Sequence, residues 1–232
     1  MDEHPAGAGV GLSERLTTTS GASVRMVSLE FVLRPSVVRH GRSENSGHSR
    51  LAAGEVVNVR LAALASKELT LADADVTRIS LVDYPLPIYD ADTAEKSGPP
   101  HNAFKLKQLM SAHQGVFIAS PEYNASLTPL IKNTIDWISA VRERGDPPLA
   151  AYQNRVFALG GASPGRSGAT HSLLALRQVL AVGCGALVLA EQVTVPNAEH
   201  AFDDMDELTD ARAANQLKVV VRKLVDTARL MA

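Results

Sequence analysis

One stretch of the sequence combines residue types that suit a flat ligand with polar edges. SPEYNAS, residues 120–126, follows the apolar run GVFIA and precedes an amphipathic segment. Pro121 fixes one backbone angle, Tyr123 offers an aromatic face with a polar tip, and Asn124 adds hydrogen-bonding groups. The pattern therefore predicts a ligand-binding loop, and it leaves open that Asn124 and Ser126 only cap the following helix.

A second stretch, GGASPGRSGATHS at residues 160–172, follows the apolar run VFAL. Its glycines, Gly160, Gly161, Gly165 and Gly168, permit positive φ angles or close backbone approach. Backbone amides that precede a helix can face an anion or a carbonyl edge. The G-x-G-x-x-G spacing of a dinucleotide-binding turn is absent, so a purely structural turn remains the alternative.

The elements around these loops alternate between buried strands and amphipathic helices. We predict strands over about 76–87, 115–120, 156–162 and 185–195, and helices over about 58–72, 102–113, 129–141, 170–182 and 206–231, with Asn58 as the first N-cap. This alternation is typical of a parallel sheet with helices on both faces. Ligands of such sheets bind at the carboxyl ends of strands, where both loops lie.

The N-terminal quarter of the chain has a different character. Residues 1–54 are rich in Gly, Ser, Thr and His and lack helical or strand periodicity, so we predict a loosely ordered or atypical segment followed by one domain over 55–232. Residues 24–33, VRMVSLEFVL, have enough β-branched and aromatic content for a strand. Nothing in the sequence pairs that strand with the main sheet.

Composition excludes several classes of partner. The 232 residues are 45% hydrophobic and 21% charged, with a formal net charge of -2, which gives no footprint for nucleic acid or an anionic membrane. No apolar run approaches the length of a membrane-spanning helix, so we expect a cytoplasmic protein. The single cysteine, Cys184, is predicted to be a core residue. The scattered histidines predict no metal site.

Taken together, the two loops resemble the NAD(P)H-dependent FMN reductases, a flavodoxin-like family that includes quinone, azo-dye and chromate reductases. Family members carry S-P-E-Y-N followed by a helix close to P-x-L-K-N-x-I-D-W, which residues 120–124 and 129–137 reproduce with Ile131 in place of the usual Leu. They also carry G-A-S-P-G-x-x-G and a helix close to L-R-Q-V-L, which match residues 161–168 and 176–180. The resemblance covers about residues 58–195.

The resemblance implies an α/β fold of three layers, with a doubly wound, five-stranded parallel sheet in the order 2-1-3-4-5. It also implies FMN as cofactor, NAD(P)H as electron donor, and a homodimer or homotetramer with Trp137 near the subunit interface, although ordinary core packing explains Trp137 equally well. Glu122 would in addition face the pocket of the second substrate. The implied cofactor-binding residues are Asn58, Pro121, Glu122, Tyr123, Asn124, Ser163, Pro164, Gly165 and Gly168.

The chain departs from the family before Asn58. Relatives begin with a strand and a phosphate loop of the form G-S-x-R-x-x-S-x-N-x-x-L-A, and only Asn58, Leu61 and Ala62 fit its last positions. A one-base shift of the reading frame would permit G-S-L-R-A-K-S at residues 50–56 and a strand-like P-K-I-L-G-I at 43–49. We hypothesise a frameshift upstream of about Val57, which the nucleotide sequence tests, and the first strand therefore has no clear counterpart.

These features predict a flavin-dependent oxidoreductase. Hydride would pass from NAD(P)H through FMN to a quinone, flavin, azo compound or similar acceptor in a ping-pong cycle, with no side chain acting as catalytic acid or base. Two alternatives remain: a flavodoxin-type electron carrier, and a flavin-free, inactive homologue that lacks the phosphate loop. The sequence indicates neither the physiological acceptor nor a preference between NADH and NADPH.

Overall fold

Five short apolar runs form the strands of one parallel sheet. In the computed structural model, which describes residues 23–30 and 46–231, the strands are β1 (Val24–Glu30), β2 (Ala74–Ser80), β3 (Gly115–Ala119), β4 (Val156–Ala162) and β5 (Leu187–Val195). Every residue of β3 and β4 is buried, as expected for strands covered on both faces. The strand order β2-β1-β3-β4-β5 confirms the predicted topology.

Helices cover both faces of this sheet. They are α1 (Ser46–Leu71), α2 (Ala91–Ser97), α3 (His101–Ser111), α4 (Pro129–Ala140), α5 (Thr170–Gln178) and α6 (Ala211–Met231), and one π-helical turn, Val179–Gly183, extends α5. One buried cluster joins the sheet to α1 and α6, and another joins it to α3, α4 and α5. The predicted three-layer architecture is therefore confirmed.

Successive residues of β1 pack into different clusters, on opposite faces of the sheet. Met26 packs in the cluster beneath α1 and α6, whereas Val27 packs in the cluster beneath α3, α4 and α5, and both side chains are fully buried. This division follows from the alternation of side chains along a strand. At Gly115 of β3, a Cβ atom would lie 2.3 Å from the Met26 sulfur, so the absence of a side chain at Gly115 leaves room for the Met26 side chain in its observed position.

The structure supplies the first strand that the sequence left without a counterpart. Val24–Glu30 pairs in parallel with β2 on one side and with β3 on the other. It lies within the predicted N-terminal segment 1–54, and the predicted boundary at 54/55 falls inside α1. Residues 1–22 and 31–45 lie outside the described residues. The frameshift hypothesis concerns the coding sequence and stays a prediction. In this chain Val24–Glu30 takes the position of the first strand, and residues 46–49 belong to α1.

The predicted start of α1 is also corrected. Asn58 is not an N-cap: α1 begins at Ser46, about three turns earlier, and Asn58 lies inside the helix with a fully buried side chain. The Asn58 side chain is instead bonded to a strand, as described below. Tertiary contacts here outweigh the local preference of asparagine for helix ends.

At the other end of the chain, the last helix starts later than predicted. Residues 203–209 form a turn in which the Asp203 carboxylate accepts from the amides of Met205 and Glu207, both at 2.9 Å. Asp210 then accepts from the Arg212 amide at 2.8 Å, so α6 begins at Ala211 rather than at 206. Aspartate favours such local bonds to backbone amides over an interior helical position.

The core position predicted for Cys184 is confirmed and has a chemical consequence. The side chain packs beneath α5 with 4% exposure, and burial raises the pKa of its thiol to about 11. Because the thiolate is the reactive form, we expect disulfide reagents to label native protein at pH 8 about 100-fold more slowly than an unperturbed thiol. Labelling should become fast in guanidinium chloride. Rapid labelling of the folded protein would contradict this burial.

Candidate functional site

The two loops of interest leave neighbouring strands and meet at one edge of the sheet. The loop after β3 spans residues 120–128, and the loop after β4 spans 163–169. The strand order reverses between β1 and β3, so the loop after β3 lies at the topological switch point where doubly wound folds bind ligands. The structure thus brings together the residues predicted in these two loops.

The loop after β3 is a tight turn. The Tyr123 amide donates to the Ser126 carbonyl at 3.1 Å, and the Ser126 amide donates back at 2.9 Å. Between them Asn124 and Ala125 have φ angles of 49° and 57°, which indicates a type I′ turn. Asn124 is exposed and Tyr123 is half-buried. The turn therefore presents backbone and an aromatic ring at the carboxyl edge.

The alternative that Asn124 and Ser126 cap the next helix is wrong. Thr128 is the N-cap of α4, because its Oγ1 accepts from the Ile131 amide at 3.3 Å. Pro129 takes the first helical position, where a missing amide proton costs nothing. The polar residues of the turn are consequently not needed to begin the helix.

Glu122 joins the two loops. One carboxylate oxygen accepts from the amides of His171 and Ser172 at 3.0 and 3.2 Å, at the start of α5. The other oxygen accepts from the Ser167 hydroxyl at 3.3 Å and lies 3.3 Å from Nδ1 of His171. The N-cap of α5, Ala169, has no side-chain cap of its own. A carboxylate at a helix N-terminus is stabilised by the free amides and the helix dipole, so Glu122 caps α5 from the neighbouring loop.

Two buried serines reinforce this junction. The hydroxyls of Ser120 and Ser172 each lie 2.9 Å from the Pro121 carbonyl oxygen and 3.1 Å from each other. Two hydroxyl protons can satisfy two of these three contacts at a time. Pro121 is itself buried, so its carbonyl receives in this way the partner that water cannot supply.

The second loop is fixed to β5. Ser163 donates its amide to the Val195 carbonyl at 3.1 Å, and its own carbonyl accepts from the Ala198 amide at 3.2 Å. Its hydroxyl accepts from the Gly165 amide at 3.3 Å. Pro164 is half-buried and Gly165 is exposed, so this part of the loop stands open at the same edge as the Tyr123 turn.

Gly168 occupies a position that requires glycine. Its φ angle is +56°, and a Cβ atom there would lie 2.8 Å from the Pro196 nitrogen. A left-handed conformation is accessible to glycine without steric cost, and the close approach to β5 excludes a side chain. Gly168 therefore shapes the second loop through its backbone.

A close crossing also occurs at Gly161, where the sequence predicts close backbone approach. A Cβ atom at Gly161 would lie 2.6 Å from the Ser120 carbonyl oxygen and 2.7 Å from the Ala169 Cβ. We expect Gly161→Ala to lower the free energy of unfolding by about 1–3 kcal/mol, because backbone must shift on both sides. Urea denaturation measures this. Gly183→Ala is the control, since nothing lies within 4 Å of its Cβ position, and equal losses in both variants would contradict the crowding.

Asn58 holds the base of the second loop. Its amide nitrogen donates to the Ala162 carbonyl at 2.9 Å, and its amide oxygen accepts from the Ala162 N–H at 2.9 Å. Ala162 ends β4 and precedes Ser163. The structure therefore directs the Asn58 side chain to the strand backbone, and the predicted cofactor-binding residue lies behind the loop that it positions.

The segment before Asn58, where relatives carry the phosphate loop, is helical in this chain. A phosphate would be held by free amides at the start of a helix immediately before Asn58. Because α1 begins at Ser46, the backbone amides of residues 50–58 lie within the helix, where they bond to preceding carbonyls. Residues 31–45, which connect β1 to α1, lie outside the described residues.

Trp137, predicted near a subunit interface or in the core, is buried within the chain. It is 1% exposed, its indole N–H donates to the Pro87 carbonyl at 2.7 Å, and Tyr89 packs edge-on with the ring centroids 5.0 Å apart. Asn133 of the same helix bonds to Pro87 and Tyr89 as well, at 2.9 and 2.6 Å. Helix α4 thereby fixes the loop after β2.

Sequence reasoning missed three partners of Glu122, namely Ser167, His171 and Ser172. They lie far from Glu122 in sequence, although all belong to the loop and helix that follow β4. Two features of the sequence could have predicted these contacts. A carboxylate follows one strand, and a helix without a capping side chain of its own follows the adjacent strand. Such a pair meets when the two strands are neighbours in a parallel sheet.

The described part of the chain contains neither a metal-binding cluster nor a membrane-spanning helix. Over residues 23–30 and 46–231, no group of three or more His, Cys, Asp or Glu side chains is placed to hold a metal ion. Within the same ranges, no helix is both long enough and apolar enough to cross a lipid bilayer.

The residues at the switch point fit the ring portion of a flavin. Gly161 brings the bases of the two loops into contact, the turn at Asn124 exposes backbone beside the half-buried Tyr123 ring, and Gly165 is open on the other loop. A flat ring with polar edges needs this combination of aromatic surface and backbone donors. The Glu122 carboxylate at the junction already accepts hydrogen bonds from two amides at the start of α5.

Fold and site together define a doubly wound, flavodoxin-like α/β protein with two candidate binding loops at the switch point. Residues 54–200 match the family model described as NADPH-dependent FMN reductase, and the chain belongs to this family. Membership confirms the predicted class, an oxidoreductase whose family uses FMN with NAD(P)H as electron donor.

Individual relatives agree with this assignment. The chain is 29% identical over 139 residues to an NAD(P)H-dependent FMN reductase of Pseudomonas aeruginosa, a match covering 60% of this chain and 71% of the relative. It is 35% identical over 79 residues to a quinone reductase of Escherichia coli strain K12, covering 33% of this chain and only 42% of that enzyme. Among solved structures, FerB, a flavoenzyme NAD(P)H:(acceptor) oxidoreductase of Paracoccus denitrificans, superposes with a TM-score of 0.61 at 22% identity, covering 90% of this chain and 98% of FerB.

Proposed function

We propose that this protein is an NAD(P)H-dependent flavin oxidoreductase that passes electrons from the nicotinamide to a quinone, flavin, azo compound or similar acceptor in a ping-pong cycle. The observation that carries the proposal is the Glu122 junction, which fixes the two binding loops against each other at the switch point. Family membership supports the class of reaction.

In this proposal FMN lies along both loops. Pro121, Tyr123 and Asn124 line the ring from the first loop. Ser163, Pro164, Gly165 and Gly168 line its other edge, through backbone groups where glycine allows close approach. Glu122 holds the loops together, and Asn58 holds the strand from which the second loop starts.

The chemistry in this proposal belongs to the cofactor. Bound FMN supplies hydride acceptance and the subsequent return of electrons to an acceptor at the same face. The residues of the chain contribute by holding the ring, orienting the nicotinamide beside it and placing backbone dipoles near its polar edge. No side chain is assigned the role of catalytic acid or base.

The visible absorption spectrum tests the proposal first. We expect purified protein, mixed with excess FMN and desalted, to retain bands near about 375 and 450 nm. Anaerobic addition of NADH or NADPH should bleach the 450 nm band, and a quinone should restore it. A colourless protein after desalting, together with no nucleotide oxidation in the presence of excess FMN, would overturn the proposal in favour of a flavin-free homologue.

The same assay distinguishes the proposed enzyme from a flavodoxin-type electron carrier. A flavodoxin-type carrier would bind flavin but would not be bleached by either nicotinamide nucleotide, since it takes electrons from a protein partner. The family description, NADPH-dependent FMN reductase, favours the enzyme over the carrier. We further propose a homodimer or homotetramer in the cytoplasm, and sedimentation equilibrium tests the oligomeric state.

A further inference from the structure

A cavity adjoins the outer side of the loop after β4. This cleft, which we call the β5 cleft, has a volume of about 640 Å³ and is bounded by Pro164, Gly165, Val195, Pro196, Ala201 and Thr209. Its volume falls in the range of small-molecule and cofactor sites. Pro164 and Gly165 also belong to the proposed flavin site, so the two sites share one loop.

The far wall of the β5 cleft is held in place by hydrogen bonds. The Thr209 amide donates to the Ala201 carbonyl, and the Thr209 hydroxyl donates to the His200 carbonyl, both at 3.0 Å. The near wall is fixed to the second loop, because the Ala198 amide donates to the Ser163 carbonyl. The cleft is therefore held on both sides by hydrogen bonds and does not depend on a loose segment.

The ionisable groups of the cleft are mainly acidic. Glu199 and Asp210 supply two carboxylates, and one oxygen of Asp210 already caps α6. Among the described residues that line the cleft, His200 is the only one whose side chain can carry a positive charge. Glu199 and His200 are exposed to solvent. Around neutral pH such a lining favours hydroxyl donors and disfavours a dianionic phosphate.

We propose that the β5 cleft binds the adenosine-ribose half of the nicotinamide nucleotide, and that Glu199 selects NADH over NADPH. The proposal rests on the proposed function and on the shared loop: Pro164 and Gly165 border the cleft and belong to the proposed flavin site, and the proposal places the nucleotide across them. A carboxylate that accepts from the ribose 2′-hydroxyl is the usual means of selecting NADH, and it repels the 2′-phosphate of NADPH. The cleft offers this carboxylate and lacks the arginine that a 2′-phosphate needs.

One nearby group could reverse the preference. Arg166 is exposed in the same loop, next to Gly165, but does not line the cleft. If Arg166 reached a 2′-phosphate, NADPH would be the better substrate, since arginine binds phosphate through paired N–H groups. The experiment therefore includes a variant at this position.

Binding can be measured without turnover. We expect calorimetric titration of the purified protein to give a dissociation constant for ADP-ribose about tenfold lower than for 2′-phospho-ADP-ribose. In Glu199→Gln the ratio should fall to about threefold or less, because the repulsive charge is gone. Asp204→Asn is the control, an exposed carboxylate in the following turn and outside the cleft, and it should keep the ratio of the unmodified chain.

Turnover gives an independent readout. With a quinone as acceptor, kcat/KM for NADH should exceed that for NADPH by about tenfold, and Glu199→Gln should act through KM. A preference for NADPH that disappears in Arg166→Ala would overturn this inference while leaving the proposed function intact. Failure to oxidise either nucleotide with flavin present would instead overturn the proposed function. Equal binding of both ADP-ribose probes would contradict the selective role of Glu199.

Discussion

Replacing Glu122 with alanine is expected to loosen both binding loops and to weaken flavin binding by about 10- to 100-fold. Truncation removes the carboxylate that accepts from the His171 and Ser172 amides and from the Ser167 hydroxyl. Hydrogen bonds to charged groups contribute about 1.5–3 kcal/mol each, and a donor left without a partner carries its own penalty. We expect the free energy of unfolding to fall by about 2–3 kcal/mol.

Glu122→Gln removes the negative charge but keeps the length of the side chain and one acceptor oxygen. Its amide oxygen can still accept from the two helix amides, so we expect a loss of about 1 kcal/mol or less and a smaller effect on flavin affinity. Glu95→Ala is the control, since Glu95 is exposed on α2. Fluorescence titration with FMN and urea denaturation measure both quantities. If Glu122→Ala binds FMN and unfolds like the unmodified chain, Glu122 does not hold the loops.

Asn58→Leu is expected to destabilise the fold by about 2–4 kcal/mol, although the two side chains have similar size. The substitution leaves the N–H and C=O of Ala162 without the partners that Asn58 gives them, at a fully buried position. Each unsatisfied buried group costs about 1–3 kcal/mol. Because Ala162 precedes Ser163, the second loop should also lose order. We therefore expect flavin binding to weaken as well.

Asn102→Leu is the matched control for this prediction. Asn102 also lies on a helix and donates to a backbone carbonyl, that of Pro85 at 3.0 Å, but at an exposed site where water can replace the bond. We expect a loss below about 1 kcal/mol there. Guanidinium denaturation compares the two variants. Similar losses at Asn58 and Asn102 would show that the bonds to Ala162 contribute no more than a surface contact.

The sequence predicted most of the fold because strands β3 and β4 are short apolar runs and α4 is strongly amphipathic. It did not place β1, since Val24–Glu30 pairs with strands that lie far along the chain, and parallel pairing leaves no local signal. It began α1 too late because asparagine is a common N-cap. At Asn58 a buried bond to Ala162 outweighs that preference.

The candidate site was predicted as a pair of loops, and its internal bonds were not. SPEYN and GASPG are each patterns of consecutive residues, so they can be recognised in the sequence. The contact of Glu122 with Ser172 depends instead on which strands are neighbours, and the side chain alone does not indicate it. The resemblance suggests that Glu122 also faces the second substrate, which stays a prediction. The structure adds that its carboxylate accepts from the start of α5.

The central position of β1 bears on how the chain acquires its fold. This strand precedes both of its partners along the chain, so it leaves the ribosome well before they do, since they begin at Ala74 and Gly115. Until they arrive, both hydrogen-bonding edges of β1 stay available to other chains. Long-range closure of this kind, rather than helix formation, sets the pace of folding in parallel sheets. The amides of β1 should accordingly exchange with solvent only when the whole domain opens.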